Sequence, residues 1–100
     1  MDVVLRTYSG KGSKDLFSLL EKHKVDIEKI MRSVKGFESY TLARTTDAEG
    51  GISVTVCKDK AGTEESLRVA KEWISKNAGS VNVNAPKVSE GSVIIHATKH

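Results

Sequence analysis

Hydrophobic and polar positions alternate with two different periods along this chain, and the switches between them mark out six elements. Asp2 to Tyr8 is rich in β-branched and aromatic side chains and ends at Gly10-Lys11-Gly12, which predicts a first strand. Beyond Ser13, read as an N-cap with Asp15 in the first turn, apolar residues recur at Leu16, Leu19, Leu20, Ile27, Ile30, Met31 and Val34. That spacing predicts one helix with a single buried face, stopped by Gly36. Phe37 to Thr45 and Gly51 to Lys58 then predict two strands joined as a hairpin through Thr46-Asp47-Ala48-Glu49-Gly50. In the second of these Ile52, Val54 and Val56 alternate with Ser53, Thr55 and Cys57, so one face is core and the other semi-polar. Thr63 reads as the cap of a second helix, with Leu67, Ala70, Trp73, Ile74 and Ala78 on its inner face and Gly79 at its end. Ser80 to Glu90 holds the only proline, Pro86, and reads as an extended connection lying along the domain or across a dimer partner, valines down and asparagines out, covering a sheet edge or closing one end of a pocket. Ser92 to Thr98 predicts the last strand.

The order βαββαβ specifies an α+β, ferredoxin-like split-βαβ domain over residues 1–100, with a four-stranded antiparallel sheet in spatial order 4-1-3-2. Composition agrees with one globular unit, 38% hydrophobic and 29% charged. Sixteen Lys and Arg against thirteen Asp and Glu leave a net charge of +3. Cations and anions interleave from Lys11 to Arg32, a solvated face rather than a basic stripe, so nucleic acid is not an expected partner. No apolar run approaches the roughly 20 residues of a membrane span, no secretory leader is legible, and Cys57 alone forms no internal disulfide; a cytoplasmic location is expected. The semi-polar, uncharged face of Ser53, Thr55 and Cys57, taken with Val4 and Ile94, predicts a homodimer.

The run Val34-Lys35-Gly36-Phe37-Glu38-Ser39-Tyr40-Thr41-Leu42-Ala43-Arg44 resembles the "(P/K)GF-x-x-Y-x-L-x-R" segment of the dimeric α/β-barrel superfamily, relatives of antibiotic-biosynthesis monooxygenases. Ser53 to Ser66, followed by Trp73-Ile74, is similar to an uncharacterised branch of the same group. The resemblance implies a homodimer whose sheets pack face to face into a barrel, with a pocket between each sheet and its own helices. It also implies that Trp73 lines that pocket. The Asn that some of these monooxygenases carry one turn earlier is replaced here by Val69, and the tyrosine that follows is absent. The first-strand Asn and helical His of heme-degrading relatives are absent too.

Five side chains remain as pocket candidates: Trp73, His23, Arg6, Tyr8 and His96. Trp73 reads equally as core, and His23 as a boundary residue on an apolar stripe. Arg6, Tyr8 and His96 would join a cation, a phenol and an imidazole if strands one and four bring them to one face; otherwise they are polar groups of a rim or interface. Cys57 reads as a small buried hydrophobe. The histidines and the lone cysteine have no metal-ligand spacing, so no metal and no cofactor is expected. Gly10-Lys11-Gly12-Ser13 matches neither phosphate-binding glycine pattern, and the third strand lacks the stacking aromatics of RNA-recognition modules. Two functions follow. One is a dimeric protein binding a small apolar or aromatic ligand without a catalytic set; the other is a cofactor-independent monooxygenase-like enzyme acting on a small aromatic or quinol-type compound.

Overall fold

The computed structural model describes residues 1–79 and 81–99; Ser80, the first residue of the expected connection, and His100 lie outside them. The elements run β1 (Asp2–Tyr8), α1 (Ser13–Lys22), α2 (Lys24–Arg32), β2 (Phe37–Arg44), β3 (Gly51–Cys57), α3 (Lys60–Asn77) and β4 (Lys87–Ser92). All strand pairs are antiparallel and the order is β2-β3-β1-β4, the expected arrangement. Among the described residues no helix is long and apolar enough to cross a membrane.

The single helix expected between Ser13 and Val34 is broken in two. His23 leaves the helical region at φ −108° and ψ 24°; its N–H still donates to the carbonyls of Leu19 and Leu20, while its own carbonyl accepts from Ile27. The apolar stripe skips the six residues between Leu20 and Ile27, where the one apolar residue, Val25, is exposed, so nothing apolar holds the helix straight across His23-Lys24. The bend lets Leu16, Phe17 and Leu20 from α1 and Ile27 and Met31 from α2 enter one core with Tyr8, Ala70 and Ala78.

Two expected caps move. Gly12, not Ser13, caps α1, because the turn from β1 needs a left-handed residue (φ 80°) and passes against the backbone of Asn82, where a side chain has no room. Ser13 becomes the first helical residue, fully buried. At α3 the cap is Asp59, whose carboxylate accepts the Gly62 N–H at 3.1 Å, and Thr63 sits inside the first turn, buried, with its hydroxyl donating to the Lys60 carbonyl. The helix therefore starts one turn earlier, on the stronger capping residue.

Strand four differs most. Its residues are Lys87–Ser92, and Val93 to Lys99 is not a strand. Pairing runs from Thr7↔Lys87 to Asp2↔Ser92, so β1 is used up there; one further bond, Val93 N–H to Met1 O, ends it. Val93-Ile94-Ile95 has the higher strand propensity, but propensity without a pairing partner does not make a ladder. Ile94 and Ile95 are 95% and 82% exposed. The expected connection holds only up to Pro86, since Lys87 to Glu90 belong to β4; before it, Val81 and Val83 pack against the core, Asn82 and Asn84 face out, and the Asn84 N–H donates to Lys11 O.

The semi-polar face was the expected dimer surface, and it is instead the helix-facing one. Val4 opposes Thr55 and Arg6 opposes Ser53, and all four residues are buried together with Cys57 beneath the helices. Alternation reports a period and not which side the helices take, and the crossovers take this side. The opposite face carries Val3, Leu5, Ile52 and Val54, half-buried, and Val56, buried, and among the described residues no helix packs over it.

Candidate ligand-binding site

Strand alternation places Arg6 and Tyr8 on the helix-facing side of β1, Tyr40 and Leu42 on that of β2, and Ser53 between them on β3. The helices pack over this row with Leu20, Ile27, Ile30, Met31, Val69, Ala70, Trp73 and Ile74, leaving a partly open cavity of about 30 Å³. Beside it, between α1, α2 and β2, lies an open groove of about 580 Å³. Ile27, Tyr40 and Leu42 line both, so the two spaces abut. Gly51 makes room at the inner end: the Phe17 ring lies where its side chain would be and meets Tyr8 edge-on, centroids 5.6 Å apart.

The two spaces differ in charge. The groove is floored by Phe17, Ile27, Phe37, Tyr40 and Leu42 and rimmed by both signs, with Arg32 bonded to Glu28 at 2.8 Å and Arg44 to Glu21. The cavity has one ionic group, Arg6, 6% exposed, whose Nε donates to Ser53 Oγ at 2.9 Å. Burial pushes the Tyr8 and Tyr40 phenols above their ordinary pKa, partly offset by the Arg6 charge, so both are protonated hydroxyls at neutral pH. The cavity lining holds no carboxylate and no imidazole.

Of the five candidates, the structure brings Arg6, Tyr8 and Trp73 together around this cavity. His23 is outside it, its ring edge-on to Trp73 at 5.6 Å and its Nδ1 3.8 Å from Asp26. His96 does not join them. Placing it on the fourth strand fails because that strand ends at Ser92, and His96 lies in the segment beyond. Val69, one turn before Trp73, does face the cavity and brings no polar group to it. Cys57 is fully buried, and burial, then Asp59, Glu38 and Glu65, raise its thiol pKa, the opposite of what a nucleophile needs. Tyr40 and Ser53 were not among the candidates. Tyr40 had a readable signal, its two-residue spacing from Leu42 on an amphipathic strand; Ser53 had none until the register placed it opposite Arg6.

No family model and no curated protein matches the chain. Solved structures do. A Streptomyces coelicolor monooxygenase, solved with nanaomycin D, is 16% identical with a TM-score of 0.71, over 99% of this chain and 92% of that one. A Deinococcus radiodurans protein described as antibiotic-biosynthesis-monooxygenase-like is 16% identical with a TM-score of 0.70, over 100% and 99%. A dimeric ferredoxin-like protein from an uncultured marine organism is 18% identical with a TM-score of 0.63, over 96% and 95%. At these identities the likeness is one of fold: the chain has the ferredoxin-like fold of antibiotic-biosynthesis-monooxygenase-like proteins.

Proposed function

We propose that this protein is a homodimer, formed through the open sheet faces as a dimeric α/β barrel, and that each subunit binds a small apolar or aromatic molecule between its sheet and its helices. The observation that carries the binding reading is the cavity under Trp73, Tyr8 and Tyr40 continuing into an aromatic-floored groove. Such a lining suits a flat apolar ligand, and the fold also serves a monooxygenase that holds nanaomycin D. Binding without turnover is the favoured form of the reading, because no cavity-lining group is a general base at neutral pH: the phenols are protonated and Arg6 is a cation. Dimerisation is supported by the uncovered apolar face and by the dimeric state of a protein with the same fold. A cytoplasmic location belongs to the same reading, since the single buried thiol asks for no oxidising compartment.

A thermal-shift screen with aromatic compounds, read again by the fluorescence of Trp73, the chain's single tryptophan, tests the binding. Expected are stabilisation by a subset of flat apolar compounds, a change in Trp73 emission, and no oxygen uptake with quinols. Oxygen uptake dependent on the protein would make it an enzyme instead. Light scattering should give twice the chain mass of 10.9 kDa.

A further inference from the structure

The chain has four arginines, and three of them touch solvent and pair with carboxylates: Arg32 with Glu28, Arg44 with Glu21, and Arg68 with Glu65 and Glu72. The fourth, Arg6, is the buried one, and among the described residues it joins no ion pair. This inverts the usual economy, in which a buried charge is the one that most needs a partner. Its single side-chain hydrogen bond among those residues, from Nε to Ser53 Oγ, leaves Nη1 and Nη2 without a partner there, on a residue that lines the cavity. That end is a two-pronged donor whose spacing matches the two oxygens of a carboxylate. Tyr8 and Tyr40, each with a hydroxyl, line the same cavity, and no anionic side chain among its lining residues competes for the cation.

Size divides the ligand between the two spaces. The inner space of about 30 Å³ has room for a small polar group and not for a ring, since a site that encloses benzene is roughly 150 Å³. The abutting groove of about 580 Å³ has the room and the aromatic floor for the ring. We propose that the inner cavity is a carboxylate-binding site for a small aromatic acid, gripped end-on by Arg6 beside Tyr8 and Tyr40, with its ring over Phe17, Phe37 and Leu42. This rests on the ligand-binding reading of the same cavity and adds the charge and orientation of the ligand.

Calorimetry at neutral pH with 1-naphthoate and its neutral counterpart 1-naphthamide separates the two layers. The wild-type protein should bind the acid at least tenfold more tightly than the amide. Arg6→Met, which keeps the stem and removes the charge, should bind the two within about threefold of each other and melt no lower than the wild type, since it sheds an unpaired buried cation. Should Arg6→Met fail to fold, Arg6→Lys carries the test: it keeps a charge but loses the fork, and the preference for the acid should fall several-fold. Equal binding of acid and amide by the wild type overturns the carboxylate site and leaves the apolar pocket standing. A preference that survives Arg6→Met also overturns it, because the charge responsible then sits elsewhere. If neither probe binds up to millimolar concentration, both the site and the binding reading fall.

Discussion

On one side of the sheet Val4, Arg6, Tyr8, Ser53 and Thr55 lie under three helices; on the other, Val3, Leu5, Ile52 and Val54 are half-buried, with no helix over them among the described residues. Of these two central sets the covered one is the more polar. A domain built only to fold would do the reverse, because each fully buried aliphatic side chain contributes roughly 1.5–3 kcal/mol, whereas each buried hydroxyl or charge must find a partner merely to break even. The proposed function would account for both faces: the helices would cover a ligand site, and the open face would receive a second copy.

A charge on the open face is the strongest way to break that comparison. Val54 pairs with both Leu5 and Thr41 at the centre of this face. Val54→Asp should dissociate the dimer and lower stability by about 3 kcal/mol or more, since it strands a carboxylate against an apolar partner. Light scattering with a urea titration checks both effects. A variant that stays dimeric with an unchanged midpoint would mean that the aliphatic face is simply exposed.

On the covered face the expected signs are opposite. Arg6→Met should raise stability by about 1–2 kcal/mol in urea denaturation, as replacement of a buried charge by an apolar chain of similar length often does. Loss of stability would mean that the cation is answered within the folded chain and that the face is an ordinary core. Thr55→Val is the milder version. The Thr55 hydroxyl is buried with no partner among the described residues, and the substitution replaces it with a methyl of nearly the same size, so a gain of about 1 kcal/mol is expected. A loss of that size would show the hydroxyl to be satisfied.

The sequence made strand order and composition legible but not the assignment of faces, for a reason visible in β3. Ile52-Ser53-Val54-Thr55-Val56-Cys57 states a period of two without ambiguity, yet either set can face the helices; the side is settled by the crossovers, which are non-local. Helix faces were legible because Leu16, Leu20, Ile27 and Met31 report burial directly, while the bend at His23 is marked only by a missing apolar residue. The sequence puts the last strand too late because Lys87 to Ser92 is exposed along its length and has Val88 as its one large apolar residue, with nothing local to announce that it pairs. Its ladder is specified by β1. For the site, Arg6 and Tyr8 were legible as an i, i+2 pair on one strand, and what no local pattern revealed is that Arg6 would be buried without a carboxylate.

The smallest expected effect is invisible at neutral pH and sharpens the comparison from the covered side. Both of the chain's tyrosines, Tyr8 and Tyr40, line the cavity, so tyrosinate absorbance reports on this site alone. Burial raises both phenols above the ordinary value of about 10, the Arg6 charge only partly offsetting it. The folded state thus holds protons that the unfolded state has begun to release. The stabilisation is complete below about pH 10 and is lost as the pH rises from there towards the folded-state values, because the unfolded chain then binds fewer protons than the native one. Urea midpoints measured across this range should fall for the wild type and fall less steeply for the Tyr8→Phe, Tyr40→Phe double variant, the difference removing the shared lysine titration. In the native protein, tyrosinate absorbance should appear only above the pH at which it appears in urea. Coincident titration in the two states would place both hydroxyls in water, and the covered face would then be no drier than the open one.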